Sequence, residues 1–165
     1  MNKLLIGLFV QLLVTPLAFA EWVDTAGHEV LFIEMEDTTQ LEVLDWGGDS
    51  TPTLFLLAGM ASNAHTYDEF ATHFTDEFRV VALSRIGHGY SEPPKNDDFS
   101  IERLASDIVR TLDSLGIEKA IFAGHSFAGF EGLVDQIRTE GKIAPFPPGV
   151  SAPFRSQASQ GVLIY

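Results

Sequence analysis

Between residues 28 and 129 two hydrophobic periods take turns along the chain. Residues 28–35 and 40–46 mix apolar and polar positions in the manner of strands, and Asp45-Trp46-Gly47-Gly48-Asp49 closes the second of them in a turn. Residues 53–58 form a short unbroken apolar run, the pattern of a strand covered on both faces, and residues 79–84 and 119–123 repeat it. Helical spacing fills the intervals. Residues 67–74 place Phe70, Ala71 and Phe74 on one side of a short helix. Residues 101–115 carry Ile101, Leu104, Ala105, Ile108, Leu112 and Leu115 at three- and four-residue steps. Ser100 is placed to cap that helix, Glu102 suits the positive end of its dipole, and Gly116 closes it. Residues 127–138 form a further segment able to be helical. Buried strands alternating with covering helices predict an α/β fold around a mainly parallel sheet.

After residue 138 the periodicity fails. Pro145, Pro147, Pro148 and Pro153 crowd among Gly and Ser, and only residues 161–165 look briefly strand-like. The division expected is therefore residues 1–20 as a leader, 21–138 as the folded part and 139–165 as an irregular tail. The leader reading rests on Lys3 ahead of a mostly apolar stretch from Leu4 to Leu17, ending in Ala18-Phe19-Ala20 as a small-x-small cleavage site. The stretch is shorter than the roughly 20 residues of a spanning helix. The expectation is export to a periplasmic or secreted location, with no stable membrane span once the leader is removed.

Composition narrows the chemistry. At 45% hydrophobic and 20% charged the chain is ordinary for a globular protein. It has no cysteine, so neither disulfides nor thiolate metal sites are available. The net charge of −13 repels nucleic-acid phosphates and anionic bilayers, which leaves a small molecule as the expected partner and no nucleic acid. No metal, nucleotide or flavin motif is seen, so no cofactor is implied.

Three segments carry candidate chemistry. Gly124-His125-Ser126-Phe127-Ala128-Gly129 directly follows the apolar run 120–123. A serine on a sharp strand-to-helix turn needs small residues two positions before and after it, because larger side chains would collide with the tight backbone. Gly124 and Ala128 meet that requirement, and the bend would expose the Ser126 hydroxyl above a helix amino terminus. Leu56-Leu57-Ala58-Gly59-Met60-Ala61-Ser62-Asn63 leaves a buried strand as a loop able to aim a backbone N–H at a developing oxyanion, with Met60 and Phe127 as the two donors. Arg85-Ile86-Gly87-His88-Gly89-Tyr90-Ser91-Glu92-Pro93 is a glycine-bearing turn with a structural part to play, Arg85 tying loops together.

In this order and spacing the three segments resemble the α/β-hydrolase superfamily, in particular its single-domain branch of esterases, haloperoxidase-like and epoxide-hydrolase-like proteins. The resemblance covers about residues 28–130. It implies a partial α/β-hydrolase fold, a mostly parallel sheet with strands 1–5 present and flanked by helices. It also implies Ser126 as nucleophile, Met60 and Phe127 as oxyanion hole, and an ester or similar acyl bond as substrate. Ala58 stands where the family commonly has histidine before the oxyanion-loop glycine. In the family the acid and then the histidine follow the serine. Here the histidines are His28, His65, His73, His88 and His125, and none follows Ser126. Asp135 and Glu140 follow it too closely to match the family acid. The expectation is a serine hydrolase crippled by loss of its triad acid and base, truncated or frameshifted after residue 138, with a non-catalytic ligand-binding remnant or a non-functional product as alternatives. The strand at 119–123 would then be left as an apolar edge.

Overall fold

Leu41, Val43 and Leu44 are fully buried, and they sit in the longest strand of the sheet because residues 40–47 meet apolar neighbours on both faces. The computed structural model describes residues 27–48, 51–129, 140–144 and 162–164. In chain order the strands are β1 (Glu29–Glu34), β2 (Gln40–Gly47), β3 (Thr53–Leu57), β4 (Val80–Leu83), β5 (Ala120–His125) and β6 (Val162–Ile164). The helices are a 3-10 turn at Ala64–Tyr67, α1 (Asp68–Ala71), α2 (Ile101–Ser114) and a second 3-10 turn at Ser126–Gly129. Residues 1–26, where the leader expectation falls, lie outside the described residues. Among those described, no helix is long and apolar enough to cross a membrane.

The six strands form one sheet in the order β1-β2-β4-β3-β5-β6. The expected parallel pairing runs through its centre, where β3 lies parallel to both β4 and β5. The margins are antiparallel: β1 on β2, β2 on β4, and β6 on β5. The sheet is therefore mixed, with its parallel part confined to the strands that are joined by crossovers. The anticipated bare edge at residues 119–123 does not occur. Residues 162–164 pair along the far side of Ala123, Gly124 and His125, and Ala120 bridges to Ile143. Residues 162–164 thus satisfy backbone groups of β5 that would otherwise be unpaired.

Alternation along the central strands divides the core between the two faces. Leu41, Val43, Phe55, Leu57, Val81 and Leu83 face α2 and meet Leu104, Ile108 and Leu112. Leu44, Trp46, Leu54, Leu56, Val80 and Ala82 face the other way, toward Ala64, Ala71 and Phe78. All five residues of β3 are buried, as an unbroken apolar run requires. Helix α2 begins where predicted and ends one residue early, at Ser114. The Ser100 side chain accepts from the Arg103 N–H at 3.2 Å, and Gly116, at φ +67°, follows the last turn.

An ion network locks α2 to the β1–β2 turn. Arg103 donates to both oxygens of Asp37 at 2.8 and 3.1 Å, and through Nε to Asp107 at 2.7 Å. Burial pushes the Asp107 carboxyl up to about 6, outweighing the attraction of Arg103. Asp37, bonded by the Arg103 guanidinium, lies well below the usual carboxylate range. The signs are opposite. Asp107 contributes stability that is present below its unfolded pKa and is lost as pH rises toward 6, whereas the Asp37 contribution is lost only as pH falls below the ordinary range. Between pH 4 and pH 7 only Asp107 of this pair changes charge. Urea unfolding at the two pH values should therefore show the wild type losing up to about 3 kcal/mol relative to Asp107→Asn as pH rises. A difference that is flat with pH would remove the buried charge from the account.

Candidate active site

The parallel strands deliver their carboxyl ends to one edge of the sheet, and three loops meet there. The first is the turn after β5. Ser126 has φ +57°, a left-handed conformation that side-chain-bearing residues seldom adopt, and the chain passes at once into the 3-10 turn Ser126–Gly129. This sharp bend is what the sequence predicts, and it leaves Ser126 exposed. Both small flanking positions are closely packed. A Cβ at Gly124 would lie 2.5 Å from the Ala128 Cβ and 2.7 Å from the Leu57 carbonyl oxygen, so the two small residues face each other across the bend and against β3. The anticipated helix at 127–138 is described only as far as Gly129; residues 130–139, with Asp135, lie outside the described residues. Glu140 is exposed.

The second loop leaves β3. Gly59 lies against the bend, since a Cβ there would be 3.3 Å from the Ser126 Cβ and 3.0 Å from His125 Nε2. Met60 follows directly, with its residue surface 59% exposed. Ala61 is again left-handed, at φ +61°. Its N–H donates to His88 Nε2 at 3.3 Å, while His88 Nδ1 lies 3.0 Å from the Ile86 carbonyl. Together these fix one tautomer, with Nδ1 as donor and Nε2 as acceptor. His88 therefore pins the loop after β3 to the loop after β4.

Arg85 completes the junction and has the structural part assigned to it from sequence. It is buried, donates to the Ala58 carbonyl, and places its guanidinium 5.4 Å from the centroid of the Phe127 ring. One side chain thus touches the residue before Gly59 and the residue after Ser126. Burial lowers its pKa to about 10, which leaves it charged at neutral pH. Tyr67 lies nearby, pushed up to about 12 by burial and donating to the Leu57 carbonyl at 2.8 Å. These contacts tie the end of β3, which leads into Gly59 and Met60, to the turn that carries Ser126 and Phe127.

A second polar cluster was not anticipated. Glu42, in the middle of β2, is fully buried. Its Oε2 accepts from Ser84 Oγ at 2.6 Å and from the Tyr90 N–H at 3.2 Å, and its Oε1 lies 3.1 Å from His65 Nε2. Gly89, at φ +58°, lets the loop after β4 close over it, for a Cβ there would stand 2.6 Å from Oε2. Burial disfavours the charged form of His65, but the Glu42 and Asp68 carboxylates outweigh that and hold its pKa above the ordinary value. His65 and His88 are thus held by named partners and are not simply solvated loop histidines. The signal was present in the sequence: Leu44 and Trp46 share the face of Glu42, so alternation places the carboxylate inward.

Residues 52–134 match the family model described as the alpha/beta hydrolase fold, and they include the Ser126 bend and both neighbouring loops. The chain belongs to the α/β-hydrolase family. Among curated α/β-hydrolase relatives, it is 30% identical over 104 residues to Epoxide hydrolase 1 of Caenorhabditis elegans, covering 62% of this chain and 26% of the relative. It is 31% identical over 101 residues to the bifunctional esterase/perhydrolase DCH of Acinetobacter calcoaceticus, covering 61% of this chain and 36% of that one. The crystal structure of an epoxide hydrolase from Vigna radiata superimposes with a TM-score of 0.63 at 23% identity, over 77% of this chain and 42% of the other, which shows the fold. These matches span about a quarter to under a half of the proteins matched.

Proposed function

We propose that the chain carries the nucleophile half of a serine hydrolase site, acting on an ester or similar acyl bond, with Ser126 as nucleophile and the Met60 and Phe127 N–H groups as the oxyanion hole. The left-handed bend at Ser126, seated against Gly59, is the observation that supports this most directly. The group presented is a hydroxyl, and the covalent chemistry open to a hydroxyl beside two amide donors is acyl transfer. The Ser126 oxygen would add to the acyl carbon while the carbonyl oxygen gains charge. The serine proton would pass to the departing alcohol, and water would then release the acyl group as an acid.

Among the described residues, His65 and His88 are engaged with Glu42 and with Ala61. A serine without an activating base is a weak nucleophile at neutral pH, though oxyanion stabilisation and binding can retain roughly 10³–10⁴-fold catalysis over water. The proposed activity therefore depends on a base that can reach Ser126, and a role in holding small acyl ligands is the second reading, supported by the engagement of His65 and His88 with other partners. For either reading the proposed location is exported, supported by Lys3 ahead of the apolar stretch Leu4 to Leu17 and the Ala18-Phe19-Ala20 motif.

The full chain treated with a fluorophosphonate probe should form one adduct, in which the serine oxygen displaces fluoride from phosphorus. Peptide mass spectrometry should place it on Ser126, at a rate above that of the urea-unfolded chain. Labelling no faster than in the unfolded chain would defeat the nucleophile assignment and leave the ligand-holding role.

A further inference from the structure

We propose that His28, His65 and Asp68 form a binding site for one divalent transition-metal ion of the zinc class. His28 precedes β1, whereas His65 and Asp68 stand three residues apart, in the first 3-10 turn and at the opening of α1. The fold gathers one ligand atom from each within 4.8 Å of the others.

The spacing fits a metal. His28 Nδ1 lies 3.2 Å from Asp68 Oδ1, and His65 Nδ1 lies 3.4 Å from Asp68 Oδ2. Bonds of about 2.0–2.1 Å to a tetrahedral zinc ion separate its ligands by roughly 3.3–3.4 Å, so small adjustments would seat an ion among these groups. Two imidazoles and one carboxylate are donors that suit zinc and its neighbours in the transition series. Calcium and magnesium favour oxygen alone.

The surroundings have the form that metal sites require. His65 turns its other nitrogen to the buried carboxylate of Glu42, which Ser84 and the Tyr90 N–H hold from the far side. A ligating histidine oriented by a hydrogen-bonded carboxylate is the usual second shell of a zinc site. The His28 side chain is fully buried, with its ring edge-on to Trp46 at 5.0 Å. Asp68 is 32% exposed and His65 20%, which leaves an approach for the ion and room for a water as fourth ligand. The Glu42 and Asp68 carboxylates would balance the charge of a divalent cation. In a chain without cysteine, such an ion would clip the start of β1 to the loop after β3.

The competing arrangement is two imidazoles hydrogen-bonded to one carboxylate with no ion. Full-length chain without a histidine tag, stripped by chelator and titrated with ZnCl₂ in a calorimeter, separates the two. One ion should bind per chain. Asp68→Asn, conservative in shape and partly exposed, should weaken binding at least tenfold. Glu42→Gln should weaken it by roughly 10–100-fold as a positioning residue, and His73→Ala, on an exposed residue elsewhere, should leave it unchanged. Absence of binding at 100-micromolar-order zinc, or equal affinity in wild type and Asp68→Asn, would overturn the site. Should Glu42→Gln fail to fold, the Asp68→Asn comparison alone decides. The readout is binding, so its outcome is separate from whether Ser126 is reactive.

Discussion

Glycine at position 126 is expected to abolish covalent labelling and, at the same time, to make the chain more stable than alanine does at that position. Ser126 and an alanine in its place both carry a Cβ at φ +57°, where a non-glycine residue costs roughly 1–2 kcal/mol. Glycine adopts that conformation freely, and its greater freedom in the unfolded chain returns only about 0.5–1 kcal/mol of the gain. Both variants lack the hydroxyl, so neither forms the fluorophosphonate adduct. Their unfolding free energies from urea titration should differ by about 1 kcal/mol in favour of glycine. Strain held at the proposed nucleophile is what such a difference measures. An alanine variant as stable as the glycine variant would mean that the bend is unstrained.

Much of the fold could be read because its elements are local. The apolar runs at 53–58, 79–84 and 119–123 became β3, β4 and β5 within a residue or two, and α2 ended one residue short of its predicted limit. The short helix expected at 67–74 was harder. Asn63 caps a 3-10 turn at Ala64–Tyr67, α1 ends at Ala71, and His73 and Phe74 then bond back three residues to Phe70 and Ala71. A spacing of three and four residues cannot distinguish these tighter turns from a continuous helix. The mixed character of the sheet was not visible either, because strand direction depends on partners remote in sequence. The pairing of residues 162–164 with β5 is the clearest instance.

The candidate site divides in the same way. The Ser126 bend was legible because all its requirements sit within six consecutive residues, after a strand. Arg85 was legible only as a loop tie. Its contacts with Ala58 and Phe127 join segments that no local pattern connects. Glu42, His65 and Asp68 come from three separate elements and His28 from the stretch before β1, and their convergence is a product of the sheet order β1-β2-β4. Short polar side chains at Ser84 and Ser91, both buried, complete the lining of Glu42 and look in sequence like ordinary turn residues.

Valine at position 124 should be the most damaging single change near the bend. Even the first carbon of its side chain would meet the Ala128 Cβ at 2.5 Å and the Leu57 carbonyl oxygen at 2.7 Å. The second obstacle is backbone in the central strand β3, paired on both sides, and it cannot swing away as a flexible side chain could. Overpacking of this kind typically costs about 1–3 kcal/mol, and a branched side chain against fixed backbone belongs at or beyond the upper end. The urea midpoint should fall accordingly, and labelling at Ser126 should fall with it, because Gly124 sets the path of the bend. Alanine at Gly59 meets His125 Nε2 at 3.0 Å, a side-chain atom that can yield, and should cost less. The pair of changes Gly124→Ala and Ala128→Gly isolates the two contacts. Removing the Ala128 methyl relieves one obstacle and leaves the Leu57 oxygen, so the double variant should recover part, but not all, of the stability lost by Gly124→Ala alone. Full recovery would mean that β3 does not constrain the bend, and no recovery would mean that the methyl contact is not what keeps position 124 small.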